Sequence, residues 1–192
     1  NFFQINRNDS HSFFLKIGIS IIPAAIVGSV FEQQIKTLFN SNIILTGSML
    51  LITGLILHFS NKFKFDEKKV GYKHAFLIGL VQAFAILPGI SRSGSTIVMA
   101  LFLGISKKES SKFSFLMVIP LIFGALIKNF IQSKHLIDTE VNLPLAIGFI
   151  SAFITGVIAC KWMIKLVERS RLQFFGVYCL IIGGMALLYG NI

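Results

Sequence analysis

Leu87-Pro88-Gly89-Ile90-Ser91-Arg92-Ser93-Gly94-Ser95-Thr96 decides how the rest of this chain is read. A Pro-Gly pair, a lone arginine and four hydroxyl side chains stand between two apolar segments. Gly79 to Leu87 carries Gln82 as its single polar side chain, and Ile97 to Ile105 carries none. A guanidinium near the middle of a bilayer costs roughly 2.5–3.5 kcal/mol even on the lenient insertion scale, so such an arginine faces a cavity and an anion. Gly89 and Gly94 allow close backbone approach. The second arm is expected to begin near Gly94–Thr96, aiming its first amide N–H groups and positive dipole end at the loop. Ser91, Ser93, Ser95 and Thr96 offer hydroxyl donors, and Arg92 a planar fork that matches two phosphate oxygens. This donor set suits a phosphoryl group. A mere kink, with the serines as caps and Arg92 snorkelling to an interface, leaves the concentration of donors at the deepest point unexplained.

Composition sets the class. With 54% hydrophobic and 14% charged residues and a mean hydropathy of +0.78, 192 residues do not make an ordinary soluble domain. The net charge of +10 would suit nucleic acid, but the lysines and arginines sit in short connections between apolar blocks, as the positive-inside rule expects. Nucleic acid is therefore excluded as a partner, and membrane lipids are implied. Cys160 and Cys179 lie inside apolar blocks without metal-ligand spacing and read as packing residues. The chain starts at Asn1 with neither an initiator methionine nor a signal-peptide pattern, and is expected to be the C-terminal portion of a longer one.

The apolar blocks predict spans over about 13–31, with Pro23 inside it, 43–59, 113–127, with Pro120 inside it, 143–163 and 174–189. Residues 32–39 read as a short amphipathic helix at the interface, and Ser106-Lys107-Lys108-Glu109 as a capping box. Thr46, Gly47, Thr53 and Gly54 make one smooth stripe for helix contact; Gly148, Ala152 and Gly156 make another. The arm from Ser95 to Ile105 is roughly 16 Å of helix, about half a bilayer core. Both flanks of the motif region, 61–74 and 106–112, are lysine-rich. A segment that enters and returns on one side puts every strongly cationic connection on that side, whereas a single crossing would not. The expected fold is all-α: a polytopic integral membrane protein, residues 1–192 forming one membrane domain of about five transmembrane helices plus one re-entrant helix–loop–helix hairpin, 72–105. Irregular backbone at its tip is tolerated where it is buried or lines a cavity.

Other polar residues carry less. Gln82 faces either a neighbouring helix or the site. His58 and His74 fall at membrane boundaries, His11 and His135 in connections, and Trp162, Tyr178 and Tyr189 fit interfacial or packing roles. Every aspartate and glutamate lies in a connection or at a span end. The chain thus offers phosphate clamps, no metal ligands, and no evident base.

The run Gly79–Leu87, followed by Pro-Gly-x-Ser-Arg-Ser-Gly-x-Thr over 88–96, resembles the undecaprenyl-diphosphate phosphatase family, the bacitracin-resistance membrane phosphatases. The likeness extends through Ile22-Pro23-Ala24-Ala25, the Phe113-Ser114-Phe115 helix start and the Leu143-Pro144 span. It implies a multi-pass enzyme of the bacterial inner membrane with two inverted repeats. Such enzymes hydrolyse undecaprenyl diphosphate to the monophosphate and inorganic phosphate, recycling the lipid carrier for peptidoglycan synthesis and conferring bacitracin resistance. By the same resemblance Ser91 and Arg92 are catalytic, while Ser91, Arg92, Thr96 and Gln82 bind the phosphates of a polyisoprenyl diphosphate, and Ser93 joins them as a hydroxyl donor of the motif. A divalent cation, Mg2+ or Ca2+, is implied with its ligands outside this chain, and a homodimer is left open. The family's Glu-x-x-x-Glu pair and Gly-His motif of the first repeat are absent from these residues, so the 192 residues alone are expected to be inactive. Besides a structural subunit with no site, which an arginine buried in lipid argues against, two rivals stand beside this reading. One is a lipid-phosphate transporter or flippase, since broken helices with anion-facing N-termini also serve transporters. The other, a histidine-nucleophile lipid phosphatase, would need a histidine and an aspartate that Ile97–Ile105 lacks.

Overall fold

The structure, a computed structural model, describes residues 7–39, 43–60, 68–132, 143–169 and 172–190. These residues form helices α1 (Arg7–Val30), α2 (Glu32–Phe39), α3 (Ile43–Phe59), α4 (Tyr72–Phe84), α5 (Arg92–Phe102), α6 (Lys107–Leu116), α7 (Val118–Gln132), α8 (Leu143–Glu168) and α9 (Leu172–Gly190). The architecture is all-α and polytopic. Four helical stretches, His11–Val30, Lys107–Ile131, Leu143–Glu168 and Leu172–Gly190, are long and apolar enough to cross a membrane, and a fifth span arises when α2 and α3 are counted together.

The predicted span around Pro120 is one span made of two helices. α6 ends at Leu116 and α7 begins at Val118, so Pro120 sits in a first turn, where its missing N–H costs nothing. The break falls where the proline ring would meet the carbonyl of Leu116 in a continuous helix. Ser106 caps α6 as its spacing predicts, its Oγ accepting from the Glu109 N–H at 3.4 Å.

Small residues set the most extensive helix contact. α3 runs antiparallel to α9, with Gly47 against Gly183 and Gly54 against Gly176. A Cβ at Gly54 would stand 2.8 Å from the Gly176 carbonyl oxygen, and one at Gly47 would stand 3.1 Å from that of Gly183. The expected stripe on α3 therefore meets a second glycine pair at the same seven-residue spacing on α9. The stripe expected on α8 behaves otherwise. Nothing among the described residues lies within 4 Å of a Cβ placed on Gly148 or Gly156, and α8 is exposed from Leu143 to its last turns. There Val167 joins a buried cluster with Leu57, Ile97, Leu101 and Leu172.

α1 packs parallel to α4. Lys16 lies over the Tyr72 ring, 5.5 Å from its centroid, and Gly79 backs directly onto the Ser20 backbone. Farther along, Pro23 and Val27 line a wholly apolar groove with Ala83 and Phe84. Beneath this, Ile17, Ala75, Ile78, Ala100, Phe113 and Met117 form the core that joins α1 to α4, α5 and α6.

Residues 68–106 return on themselves. The Lys68 carbonyl accepts from the Ser106 N–H at 3.3 Å, and Lys68 pairs with Ile105 in an isolated bridge. α4 and α5 are therefore the two arms of a helix–loop–helix hairpin whose ends meet. Lys16, Lys68 and Lys112, the last over the Phe13 ring at 5.4 Å, stand at that closed base. Glu32 binds Lys36 and Lys128 at the far ends of α1 and α7.

Candidate phosphate-binding site

Local chemistry builds the hairpin tip. α4 ends at Phe84, and the backbone tightens as the N–H groups of Ile86 and Leu87 bond to Ala83 and Phe84. Leu87-Pro88-Gly89-Ile90 then turns, closed by the Ile90 N–H to the Leu87 carbonyl at 3.2 Å. Proline presets the second position of such a turn, and the third needs positive φ. Gly89 supplies it at φ 92.

Ser91 caps α5. Its backbone is extended, its Oγ accepts from the Gly94 N–H at 3.3 Å, and its carbonyl accepts from the Ser95 N–H at 2.8 Å. The second arm thus begins two residues earlier than the expected Gly94–Thr96 start, because the serine cap rather than the glycine sets the first turn. Arg92 is consequently the first helical residue and not a loop residue. Its backbone N–H and that of Ser93 are among the amides that no helical carbonyl precedes.

The two arms converge through Gln82 and Arg92. Gln82 Oε1 accepts from Arg92 Nε at 3.1 Å. Gln82 is 1% exposed, whereas Arg92 is half-buried. Gln82 Nε2 and Arg92 Nη2, each one carbon from that bond, are both buried and without a hydrogen-bond partner. Leaving such donors unmatched costs about 1–3 kcal/mol each, more for a charged group. Both are donors, so what they lack is an acceptor such as an anionic oxygen. Phosphate supplies such oxygens.

The other expected residues divide. Ser91 and Ser93 are partly exposed at the tip, open to a ligand. Thr96 is 1% exposed, and its hydroxyl donates back to the Arg92 and Ser93 carbonyls at 3.0 and 3.2 Å. In this state it braces the first turn of α5. Ser95 Oγ is buried without a partner, and so is Ser114 Oγ on α6, which the sequence marks only within the Phe113-Ser114-Phe115 likeness and not as a site residue. The sequence reading passed over the part Thr53 plays at the tip. Read as one member of a packing stripe, Thr53 donates to the Gly89 carbonyl at 3.2 Å and accepts from the Ser91 N–H at 3.1 Å.

The boundary histidines make local contacts. His74 Nδ1 accepts from the Gly71 N–H at 3.2 Å at the start of α4, and His58 meets the Phe59 ring edge-on. His135 and the acidic residues of 61–67 and 133–142 lie outside the described residues. Among the described residues no three His, Cys, Asp or Glu side chains gather to hold a metal ion. The guanidinium at the tip repels a divalent cation, and the Gln82 amide oxygen that could ligate one is taken by Arg92 Nε. The residues here do not fit the implied Mg2+ or Ca2+, and no step below is routed through one.

Fold and site define a class: a multi-pass helical membrane protein that buries an arginine–glutamine pair at the tip of a broken hairpin, suited to an anionic phosphoryl group. The family model of bacitracin resistance protein BacA matches residues 1–185. The chain is 48% identical over 182 residues to the undecaprenyl-diphosphatase of Christiangramia forsetii, covering 95% of this chain and 69% of that protein. It is 43% identical to the undecaprenyl-diphosphatase of Bacteroides thetaiotaomicron, covering 94% and 70% of the two chains. The likeness reaches an archaeal relative of the same name, from Methanococcus vannielii, at 42% identity over 91% of this chain and 69% of the other. The chain belongs to the bacitracin resistance protein BacA family.

Proposed function

We propose that this protein hydrolyses undecaprenyl diphosphate to undecaprenyl phosphate and inorganic phosphate, acting within the bacterial inner membrane, and that the 72–105 hairpin enters and leaves on the lysine-rich side. The observation that carries the reading is the pair of buried, unmatched donors on Gln82 and Arg92, in a chain 48% identical to a protein of that name. The closed base of the hairpin at Lys68 and Ser106 supports entry and return on one face, and α5, at roughly 1.5 Å per residue, reaches about half a bilayer core.

The chemistry follows from the donors. Breaking the phosphoanhydride moves negative charge onto the departing phosphate oxygen and the phosphoryl group under attack by water. Arg92 can hold two of those oxygens with its fork, and Gln82 both fixes Nε and adds an amide donor. Ser91, Ser93 and the first N–H groups of α5 complete the cradle. Low dielectric at this depth makes each contact stronger than it would be in water. These residues bind and stabilise; none is placed to act as a base, and that group and any metal carboxylates are assigned to residues outside the described ones.

The test is phosphate release from C55 diphosphate by the complete protein in detergent or liposomes, beside Arg92→Lys. We expect turnover by the parent and a loss of at least about 100-fold in the variant, equivalent to roughly 2.7 kcal/mol. Movement of intact lipid without phosphate release would instead favour a flippase.

A further inference from the structure

We propose that Thr53 is a positioning residue for catalysis, setting the loop that presents Ser91 and Arg92; this rests on reading that loop as the phosphate clamp. Thr53 belongs to α3, far from the motif in sequence, and is 1% exposed. Its one hydroxyl answers two backbone groups that flank Ile90: it donates to the Gly89 carbonyl at 3.2 Å and accepts from the Ser91 N–H at 3.1 Å. Both groups lie where the turn hands over to the α5 cap, so their placement decides the direction in which α5 leaves. Arg92 is the next residue.

The surrounding contacts make this a register device. The Thr46 carbonyl and Met49 of α3 press on Gly89, and Leu57 lies against Gly94. Thr46, Met49, Thr53 and Leu57 recur every three or four residues, so one face of α3 forms a wall along the tip. Within that wall Thr53 supplies the hydrogen bonds and its neighbours the steric limits. Without the hydroxyl, a part-buried carbonyl and N–H lose their partner, and the cheapest remedy is for the loop to shift. A shift of about 1 Å in a charge-stabilising group can cost about 100-fold in rate.

The experiment compares Thr53→Val, which keeps the shape and removes the hydroxyl, with Thr53→Ser, which keeps the hydroxyl. Steady-state phosphate release from C55 diphosphate is measured with the complete protein, with Arg92→Lys in parallel. Thr53 sets the groups that stabilise the transition state without itself meeting the substrate, so the loss should appear in kcat. We expect Thr53→Val to lose about 30- to 100-fold in kcat with KM within about threefold, and Thr53→Ser to stay within about threefold in both. Valine turning over within about threefold of the parent overturns the proposal, as does serine falling as far as valine. Should the valine protein fail to accumulate, Thr53→Ala carries the same comparison and the same thresholds. If Arg92→Lys keeps its turnover, the clamp reading itself fails, and the role of Thr53 with it; full loss in Arg92→Lys beside normal Thr53→Val rejects the positioning role alone.

Discussion

Gln82 and Arg92 stand ten residues apart on opposite arms of one hairpin, and Oε1 of the first accepts from Nε of the second at 3.1 Å. That bond occupies one donor of the guanidinium and leaves Nη2, together with the Gln82 amide nitrogen, without an acceptor. Glutamine suits this place better than glutamate. A carboxylate would neutralise Arg92 and set a negative charge against an incoming phosphate.

Gln82→Glu tests that distinction. The carboxylate keeps the bond to Arg92 Nε but removes the second donor and opposes the ligand. KM for the diphosphate lipid should rise by about 10- to 100-fold, matching roughly 1.4–3 kcal/mol for a lost charged contact. Gln82→Leu, which removes the bond without adding charge, should raise KM less. Leucine proving the worse of the two would show that Gln82 holds Arg92 and does not meet the substrate.

Gly89→Ala addresses the turn. Its φ of 92 disfavours any side chain, and a Cβ there would stand 2.4 Å from the Thr46 carbonyl oxygen. The strain is about 1–3 kcal/mol from the dihedral alone, and relief requires α3 and the tip to separate. The variant should unfold at a lower temperature in detergent and lose phosphate release together. An unchanged midpoint would show that the tip is held less tightly against α3 than its geometry says.

Much of this was legible in the chain, for reasons that can be named. Pro88 and Gly89 encode a turn that two local rules require, and the donors gathered around Arg92 in an apolar setting carry their own chemical reading. Span positions followed from hydropathy because lipid leaves helices few alternatives. What stayed hidden depends on contacts between distant segments. Thr53 looks like any small residue on an apolar helix until Gly89 and Ser91 are brought beside it. The glycines of α9 at 176 and 183 share the seven-residue spacing of Gly47 and Gly54, but that the two pairs face each other appears only in the fold. Conversely, Gly148 and Gly156 have the spacing of a packing face, yet among the described residues nothing approaches them. Spacing shows that a helix could be approached closely, and only the fold shows by what.

Gly176→Leu tests the α3–α9 contact. A Cβ at this position would lie 2.8 Å from both the Gly54 carbonyl oxygen and the His58 backbone nitrogen, so the obstacle is backbone that cannot turn aside. Overpacking of this kind costs typically about 1–3 kcal/mol, and more when helices must part. The thermal midpoint should fall clearly below that of Gly184→Leu on the same helix, where a Cβ meets nothing within 4 Å. Equal midpoints would remove the case for close α3–α9 packing.

Glu32 gives the protein a pH-dependent tie at the end away from the hairpin base. Hydrogen bonds from Lys128 and then Lys36 hold its carboxyl down from an ordinary 4.5 to about 2. The folded value is the lower one, so the ion pairs stabilise the fold fully above about pH 4.5 and the contribution fades as pH falls towards about 2. Because the group is at the surface, the gain is modest and screened by salt. The midpoint difference between the parent and Glu32→Gln should therefore be constant from neutral pH down to about 5, then shrink and vanish near pH 2, and it should narrow at high ionic strength. A difference that instead grew on acidification would mean that Glu32 is protonated more readily in the fold than out of it, which contacts from two lysines forbid.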